Sequence, residues 1–514
     1  MIRGSKHHLF FILIIGIAAA LRLPHLDERP MHTDEAVHAM KFGALLEHNR
    51  YTYDPVEYHG PTLNYFTLIP AKLRNMQTLK DVDETTLRLV PVCIGLGLIP
   101  LLWGLRPALS IGTIQWAALL TALSPALVFY SRYYIQEILL VTFTFGALVC
   151  AFNWINRGKW IDALGTGCFL GLMHATKETA IIAWGAMAAA ALLCALVKPT
   201  FRYGLKSLSK LQMGVLIVSA GITSALFYSS FFTHPAGIVD SFRTCGIYLD
   251  RASVSGAHHH PWFYYFATLA DTEAWLLALG GIGAVWVLIQ SIRKKISGFL
   301  LFWTIYTISM TVVYSLLPYK TPWSMLGFWH GWVLLAAWTI TAILNRTTKP
   351  VIKMGFLIIL GMGCGKLVYA DLLNFGEFAY DPTNPYTYSQ PQQDVVQVSN
   401  TLETVAQSQP EGLDLYVEVI SPAVDYWPLP WYLRRFTSVA WRSAISPETP
   451  PAPVILVHPT MESALIEKLY TQPPPGQRPL YLPLFEKDMA MRPCVYLKGY
   501  IQKAYWDRYM EKMP

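Results

Sequence analysis

The chain has 514 residues, of which 53% are hydrophobic and only 14% are charged. Ordinary soluble domains carry roughly 25% charged residues, so the composition excludes a soluble globular enzyme and favours a membrane protein. The formal net charge of +7 falls in short segments between apolar runs. Such a pattern indicates membrane topology and argues against nucleic-acid binding.

Eleven apolar segments are candidates for membrane crossings, which need about 17–25 residues each. The first is short and ends in small residues, so a cleaved signal peptide is the alternative to a membrane anchor. The sequence therefore predicts a polytopic α-helical membrane protein with about 11 transmembrane helices. The segments are 9–23, 85–105, 111–130, 137–156, 161–176, 179–197, 211–232, 264–290, 298–317, 323–344 and 351–370.

Lysine and arginine are unevenly distributed over the connections between these segments. The positive-inside rule places the basic connections, such as 156–159, 198–210 and 345–353, in the cytoplasm. The outer side then receives the loop 24–84 and everything after residue 370. Because ionisable residues near a bilayer are costly and usually mark a site, we expect a plasma-membrane protein whose site is extracytoplasmic.

The tail changes character near residue 371, where charge and proline content rise. "VILVHP" and "CVYLKGY" predict strands, while "DVVQVSNTLETVAQ" and "ESALIEKLY" predict amphipathic helices. We expect a transmembrane domain over 1–370, with 24–84 as its first outer loop, and a small extracytoplasmic α/β domain over 371–514. The aromatic stretch "DYWPLPWYLRR" either lies against the membrane or covers the site, or it is a buried loop of the small domain.

Two adjacent acids, Asp34 and Glu35, stand where the first outer loop begins a helix. A helix starting near Thr33 places Asp34 and His38 on one face and turns Glu35 about 100° away. The simpler alternative is that Thr33 or Asp34 caps the helix and that both acids favour its positive end.

Further polar motifs fall on the same predicted side. Interfacial anchoring or a solvated turn explains most of them, but a positive charge outside, at Lys320, contradicts the topology rule and suggests a lipid phosphate. Glu137, His38 and His59 are also candidate ligands for a divalent metal, although no spacing decides it. The motifs are "YDPVEYHGPTL" with Glu57, Tyr58 and His59, "RYYIQE" with Arg132 and Glu137, "TKET" with Lys177, "PWFYYF" with Trp262, and "YKTPW" with Tyr319 and Lys320.

Together these motifs resemble the GT-C glycosyltransferase superfamily, in particular its protein O-mannosyltransferase and aminoarabinose transferase branch. "DEAVHA", "YDPVEYHGPTL", "TKET", "YKTPW" and "YWPLPWYLR" are more specifically similar to a prokaryotic group labelled flippase-activity-associated proteins. The resemblance covers roughly 1–370 and extends into the tail through the last motif. It implies transfer of a sugar from a polyprenyl-phosphate carrier on the extracytoplasmic face.

The resemblance implies roles for the matching residues. Asp34 matches the general-base acid, with Glu35 beside it, and Lys320 matches the basic residue that meets the carrier phosphate. Arg132 and Lys177 are expected to assist Lys320. The late motif lacks the arginine-tyrosine form of the mannosyltransferase branch, so the donor sugar stays open. The residues expected to shape the substrate site are Glu137, His59, Tyr58, Glu57, Trp262 and Tyr319.

The chemistry suits an inverting transfer to an acceptor hydroxyl on a glycan, lipid or protein. A carboxylate base contributes roughly 10²–10⁴-fold, and a cation stabilises the departing phosphate. The alternatives are a lipid-linked-sugar flippase or its accessory, and a non-catalytic glycolipid-binding protein. Transporters tend to carry ionisable groups near the middle of the membrane and paired broken helices, whereas here the charges gather at one surface.

Overall fold

The computed structural model describes residues 2–57, 59–253, 258–293, 295–474, 476 and 478–512, so Tyr58 lies outside the described residues. The chain divides into two compact units. The first comprises residues 1–26, 44–75 and 83–377, and the second comprises residues 27–43, 76–82 and 378–514.

Residues 2–373 form seventeen α-helices, and many of these helices are long and apolar. Within the described residues, eight helices are long and apolar enough to cross a membrane, or nine if the bent pair α6 and α7 forms one span. The predicted polytopic helical class is confirmed, and the count of eleven crossings stays a prediction. The helices are α1 (Ile2–Ala20), α2 (Thr33–His48), α3 (Thr62–Leu73), α4 (Glu84–Leu96), α5 (Leu98–Leu102), α6 (Ile111–Leu123), α7 (Pro125–Ser131), α8 (Glu137–Arg157), α9 (Trp160–His174), α10 (Ala180–Val197), α11 (Pro199–Lys206), α12 (Lys210–Tyr228), α13 (Ala236–Ser253), α14 (Tyr264–Ile292), α15 (Gly298–Leu316), α16 (Leu326–Arg346) and α17 (Pro350–Leu373).

Charged side chains hold both broken ends of the bent span. The span bends by 55° between α6 and α7, where Pro125 supplies no backbone N–H group. Arg22 donates to the carbonyl oxygens of Thr121 and of the following residue, at 3.1 and 2.9 Å. Glu273 accepts a hydrogen bond from the backbone N–H of Ala126 at 2.9 Å. Each charge thus meets a helix end of opposite polarity, which stabilises the bend.

The second unit contains a six-stranded mixed sheet. Its order is β2-β1-β3-β6-β4, with β5 pairing to β6; β1 is parallel to β2 and β3, and β6 is antiparallel to its neighbours. The strands are β1 (Val417–Ile420), β2 (Val439–Arg442), β3 (Val454–Val457), β4 (Tyr481–Pro483), β5 (Met489–Arg492) and β6 (Val495–Gln502).

The burial of the strands follows their place in the sheet. Every residue of the central strands β1 and β3 is buried, whereas β6 alternates between buried and more exposed positions. Besides the start of α2, the described part of this unit contains four α-helices, and the predicted small α/β domain is confirmed as a fold. They are α18 (Asp394–Ser408), α19 (Leu429–Tyr432), α20 (Glu462–Ile466) and α21 (Lys503–Lys512).

Candidate functional site

The start of α2, in the second unit, is capped in a way that resembles a capping box. The backbone N–H of His32 donates to Glu35 Oε2 at 2.9 Å, and Nδ1 of His32 accepts from the backbone N–H of Asp34 at 3.1 Å. His32 is therefore the capping residue, and the expectation that Thr33 or Asp34 caps the helix was wrong. Because Nδ1 accepts, Nε2 carries the ring hydrogen and donates to the carbonyl oxygen of Tyr388 at 2.9 Å.

The two adjacent acids have different environments. Glu35 is fully buried, and Arg29 reaches both of its carboxylate oxygens at 2.9 Å. The Asp34 side chain is 47% exposed. Glu35 is thus held in place by a bidentate ion pair and a backbone hydrogen bond, while Asp34 presents its carboxylate at the surface of the same helix turn.

Residues of the tail hold the segment that precedes α2. The backbone N–H of Met31 donates to the Tyr432 hydroxyl at 2.8 Å, and Gln390 Nε2 donates to the carbonyl oxygen of Pro30 at 3.0 Å. All four residues belong to the second unit. The position of the Asp34 helix start therefore depends on side chains that lie more than 350 positions later in the sequence.

The central part of the stretch "DYWPLPWYLRR", residues 428–433, is buried within the second unit. Trp431 is fully buried, and Arg434 lies over its ring at 3.7 Å. Arg434 also donates to the carbonyl oxygens of Leu79 and Val82, at 3.3 and 2.7 Å. This burial agrees with the alternative that the stretch is a buried loop of the small domain.

Four charged or titratable side chains of the first unit form one cluster, hereafter the charged cluster: His59, Glu137, Lys177 and Glu178. Lys177 pairs with Glu137, and Nδ1 of His59 lies 2.9 Å from Glu178 Oε2. Burial lowers the pKa of Lys177, but the adjacent Glu137 and Glu178 outweigh it and raise the pKa above its ordinary value. Burial also opposes the charge of Glu178, yet His59 and Lys177 hold its pKa below the ordinary value.

A close backbone contact brings the two loops of the charged cluster together. The backbone N–H of Thr62 donates to the carbonyl oxygen of Ala175 at 3.2 Å, and the hydroxyls of Thr62 and Thr176 lie 2.8 Å apart. A Cβ atom on Gly60 would lie 2.3 Å from the Ala175 oxygen. Only glycine fits at this position, so the motifs "YHGPTL" and "TKET" meet through a contact that tolerates no side chain.

Arg132 and Glu137, which share the motif "RYYIQE", have different partners. Arg132 donates to the carbonyl oxygens of Leu21 and His25, at 3.5 and 3.1 Å, and its guanidinium lies 4.7 Å from the Phe375 ring centre. Glu137 begins α8 and pairs with Lys177. The structure therefore places only Glu137 in the charged cluster.

Lys320 is buried and directly follows Tyr319, which pairs with His259 in a short antiparallel bridge. Its ammonium donates to the carbonyl oxygens of His260, at 3.1 Å, and Leu317. Burial lowers the pKa of Lys320. Within the described part of the chain no carboxylate pairs with it, so its charge is balanced only by carbonyl dipoles.

The remaining candidates for the substrate site are exposed, and the candidate metal ligands belong to different units. Glu57 is exposed, and the rings of Trp262 and Tyr319 are 64% and 46% exposed, as interfacial aromatics are. His38 is buried in the second unit, whereas Glu137 and His59 belong to the first. Among the described residues, no group of three or more His, Cys, Asp or Glu side chains could hold a metal ion.

Sequence reasoning assigned no role to Arg29 or Glu178, and it did not predict that His32 caps α2. The sequence feature that could have identified Glu178 is its position next to Lys177 in "TKET", between two apolar runs. Arg29 and His32 precede Glu35 by six and three residues, and the second spacing is that of a capping box. An imidazole in the capping position is uncommon, so the pattern gives little indication of it.

Comparisons with known proteins agree with this architecture. Residues 59–228 match PMT_2, the dolichyl-phosphate-mannose-protein mannosyltransferase family. No curated protein matches significantly. ArnT from Cupriavidus metallidurans bound to undecaprenyl phosphate is similar at a TM-score of 0.60 and 13% identity, over 95% of this chain and 97% of that chain.

The second similar protein is the Archaeoglobus fulgidus oligosaccharyltransferase AglB. Its complex with an inhibitory peptide and a dolichol-phosphate has a TM-score of 0.60 and 12% identity, over 91% of this chain and 71% of that chain. The oligosaccharyltransferase of that organism tethered with an acceptor peptide has a TM-score of 0.59 and 12% identity, over 85% of this chain. The chain spans 64% of the length of that tethered protein.

At such low identity these similarities concern the fold. They confirm the predicted resemblance to the GT-C superfamily, whereas the finer resemblance to the flippase-activity-associated group stays a prediction. The chain is a multi-pass membrane protein with the fold of the GT-C glycosyltransferases, and residues 59–228 carry the sequence pattern of their mannosyltransferase branch.

Proposed function

We propose that this protein is an inverting glycosyltransferase of the plasma membrane, which moves a sugar from a polyprenyl-phosphate carrier to an acceptor hydroxyl. The family match at 59–228 and the GT-C fold support this reaction class. Undecaprenyl phosphate and dolichol-phosphate in the similar structures support the carrier. The positive-inside distribution of lysine and arginine supports an extracytoplasmic site and tail.

The observation that carries the proposal is the difference between Asp34 and Glu35. A general base must reach the acceptor, and Asp34 is half-exposed at the first turn of α2. Glu35 cannot turn toward a substrate without breaking its ion pair with Arg29. We therefore assign the base to Asp34 and assign to Glu35 the placement of the helix start.

In the proposed reaction the acceptor oxygen attacks the anomeric carbon from the face opposite the phosphate. Asp34 takes the hydroxyl proton as the new C–O bond forms, and the bond between the anomeric carbon and the phosphate oxygen breaks. The carrier phosphate leaves with the electron pair of that bond. One displacement predicts inversion at the anomeric carbon, because retention requires a second carboxylate as nucleophile.

Lys320 is the residue we assign to the departing phosphate. An ammonium has three N–H donors, and in the described structure carbonyl oxygens take two of them. Its charge has no carboxylate partner there, so it suits an anion that gains charge as the bond breaks. Lys177 is paired with Glu137 and Arg132 bonds two carbonyl oxygens, so we assign them supporting roles.

The flippase alternative is less well supported. Transporters of several folds bind their cargo at the ends of broken helices near the middle of the membrane. Here Arg22 and Glu273 occupy the two ends of the bent span formed by α6 and α7. An ion or a headgroup would have to displace these side chains in order to bind there.

The test uses the purified full-length protein with a panel of polyprenyl-phosphate sugars, with and without a chelator. We expect free sugar or transferred product from one donor, and turnover that is roughly 10²–10⁴-fold lower in Asp34→Asn although that variant still binds polyprenyl phosphate. Binding without turnover of any donor would identify a non-catalytic binder, and movement of the donor across vesicles would identify a flippase. Loss of turnover with the chelator alone would show a metal requirement.

A further inference from the structure

Helix α11 lies in the short connection between two candidate membrane spans. Span α10 ends at Val197 and span α12 begins at Lys210, so residues 198–209 have to stay close to the membrane surface. Arg202 and Lys206 are exposed and stand four residues apart on one face of α11. The positive-inside rule assigns this connection to the cytoplasm. Its cations therefore lie beside the lipid headgroups of the cytoplasmic leaflet.

Two contacts bring the connection between α8 and α9 beside this helix. A Cβ atom on Gly204 would lie 2.9 Å from the Ile155 side chain, so the middle of α11 lies against the end of α8. Gln212 donates to the carbonyl oxygen of Gly158 at 2.7 Å and accepts from Trp154 Nε1 at 2.8 Å, which ties the start of α12 to the same place. The cations of the two connections thus form one surface, hereafter the basic surface. It consists of Arg157, Lys159, Lys198, Arg202, Lys206 and Lys210.

The basic surface has little negative charge of its own. Residues 155–162 and 198–212 contain these six cations and one carboxylate, Asp162. In the part of the chain that the structure describes, none of the six cations forms an ion pair. The positive-inside rule explains cations on this side of the membrane, but it does not require two connections to gather them in one place. Cations held together without counter-charges repel one another, so a bound anion stabilises the arrangement.

Aromatic side chains at the basic surface favour a lipid over a soluble anion. Tyr203 lies on α11 beside Arg202 and is 76% exposed, and Trp160 directly follows Lys159 and is 60% exposed. Such rings prefer the headgroup region of a bilayer, because one end of the ring is apolar and the other carries a polar group. A phospholipid offers acyl chains and an anionic phosphate side by side, whereas a soluble anion offers only the charge.

We propose that the basic surface binds the headgroups of anionic phospholipids in the cytoplasmic leaflet. Arg202 and Lys206 donate to the phosphate oxygens, and Tyr203 lies between the headgroups and the acyl chains. The bound lipid joins the ends of α8 and α12 to α11 through their shared cations. This binding is independent of the proposed transfer reaction, since the candidate catalytic residues are assigned to the opposite side of the membrane.

The experiment measures equilibrium binding of phosphatidylglycerol and of phosphatidylcholine to the full-length protein in detergent at low salt. We expect the wild type to bind phosphatidylglycerol at least about 30-fold more tightly. The double variant Arg202→Gln/Lys206→Gln should bind phosphatidylglycerol about 30-fold more weakly than the wild type, as for two basic residues near an anionic surface. Its binding of phosphatidylcholine should be unchanged. In 1 M salt, where charges are screened beyond about 3 Å, the preference of the wild type should disappear.

Two further variants separate charge at the basic surface from charge in general. Lys349→Gln/Lys353→Gln removes two exposed cations, also four residues apart, from the start of α17 and should retain the preference. Arg202→Lys/Lys206→Arg keeps both charges and should retain it too, which excludes an effect of lost packing. Unchanged phosphatidylglycerol binding by Arg202→Gln/Lys206→Gln, or an equal loss in Lys349→Gln/Lys353→Gln, would overturn the inference. Competition by inorganic phosphate at the same concentration would also overturn it, because the ligand would then be a soluble anion.

Discussion

Arg29 and Glu35 form a buried ion pair in which the guanidinium reaches both carboxylate oxygens at 2.9 Å, and the next acid in the chain, Asp34, is left half-exposed. The two adjacent acids thus differ in their contacts. Glu35 fixes the geometry of the helix start, and the carboxylate of Asp34 is accessible at the surface.

Substitution of Asp34 should therefore lower turnover, whereas substitution of Glu35 should lower stability. Asp34→Asn is expected to lower turnover by roughly 10²–10⁴-fold with no change in melting temperature, because only the base is lost. Glu35→Gln is expected to cost about 3 kcal/mol of stability, because it removes the carboxylate charge from its buried ion pair with Arg29. Thermal unfolding and product formation measured on both variants would check this. Normal turnover in Asp34→Asn would refute the assignment of the base.

The buried Lys320 predicts a dependence of donor binding on pH. Burial lowers its pKa, so the ammonium loses its proton at a lower pH than an ordinary lysine, and donor affinity should fall as the pH rises into the alkaline range. Lys320→Ala is expected to weaken binding by about 10–100-fold. The arginine in Lys320→Arg keeps its charge at high pH, so the fall in donor affinity should occur at a higher pH than in the wild type. Lys72→Ala, an exposed lysine of the same unit, is the control; an identical pH profile for all variants would contradict the role.

The contact between Gly60 and Ala175 predicts a large effect of a single methyl group. Gly60→Ala places a Cβ atom 2.3 Å from a backbone oxygen, so we expect a loss of about 1–3 kcal/mol of stability. Gly185→Ala, in α10, meets nothing within 4 Å and should be neutral or stabilising by up to about 1 kcal/mol. Melting temperatures of the two variants in the same detergent would decide it, and equal values would show that the loops can separate freely.

Arg434 and Arg435 are adjacent in the tail but differ in burial, so each is a control for substitution of the other. Arg434 is the donor for the carbonyl groups of Leu79 and Val82, so Arg434→Ala should cost about 1–3 kcal/mol and make residues 76–82 easier to cleave by protease. Arg435 is half-exposed and pairs with Glu403, so Arg435→Ala should cost less than about 1 kcal/mol. Limited proteolysis with mass spectrometry would locate the cleavage. Equal sensitivity of the two variants would argue against an ordering role for Arg434.

The ion pair between Lys177 and Glu137 can be tested by a double-mutant cycle. Lys177→Met and Glu137→Gln should each destabilise the protein, and the double variant should recover about 1–3 kcal/mol of the summed loss, because each single change leaves a buried charge. Donor affinity measured on the same variants separates the two roles of Lys177. A further fall in affinity from Lys177→Met in the Glu137→Gln background would show that this lysine also contacts the phosphate.

The fold was largely predictable from the sequence because apolar runs of membrane length have few alternative structures. In the tail, the strand of "VILVHP" and the helix of "DVVQVSNTLETVAQ" were predicted and observed. Strand β1 was not, because Glu418 interrupts its apolar run, whereas β3 is an unbroken apolar run of the same length. Its strand conformation depends on pairing with β2 and β3, which no local pattern specifies.

The residue types of the candidate site were predictable, but their partners were not. "RYYIQE" suggested that Arg132 and Glu137 act together, whereas the structure gives them separate contacts. The difference between Asp34 and Glu35 depends on the direction of each side chain from the first turn of α2 and on Arg29. Such contacts follow from tertiary packing, which a single sequence does not reveal.

The packing of Asp27–Gly43 with the tail limits how this protein can be recombined with its relatives. Residues 378–514 form a compact unit with the segment that carries Asp34 and with residues 76–82. Exchange of the tail alone would leave the carbonyl of Pro30 and the backbone N–H of Met31 facing foreign side chains. A functional chimera would have to receive residues 27–43, 76–82 and 378–514 from the same protein. The part of the chain that must be exchanged as a whole is therefore discontinuous in sequence.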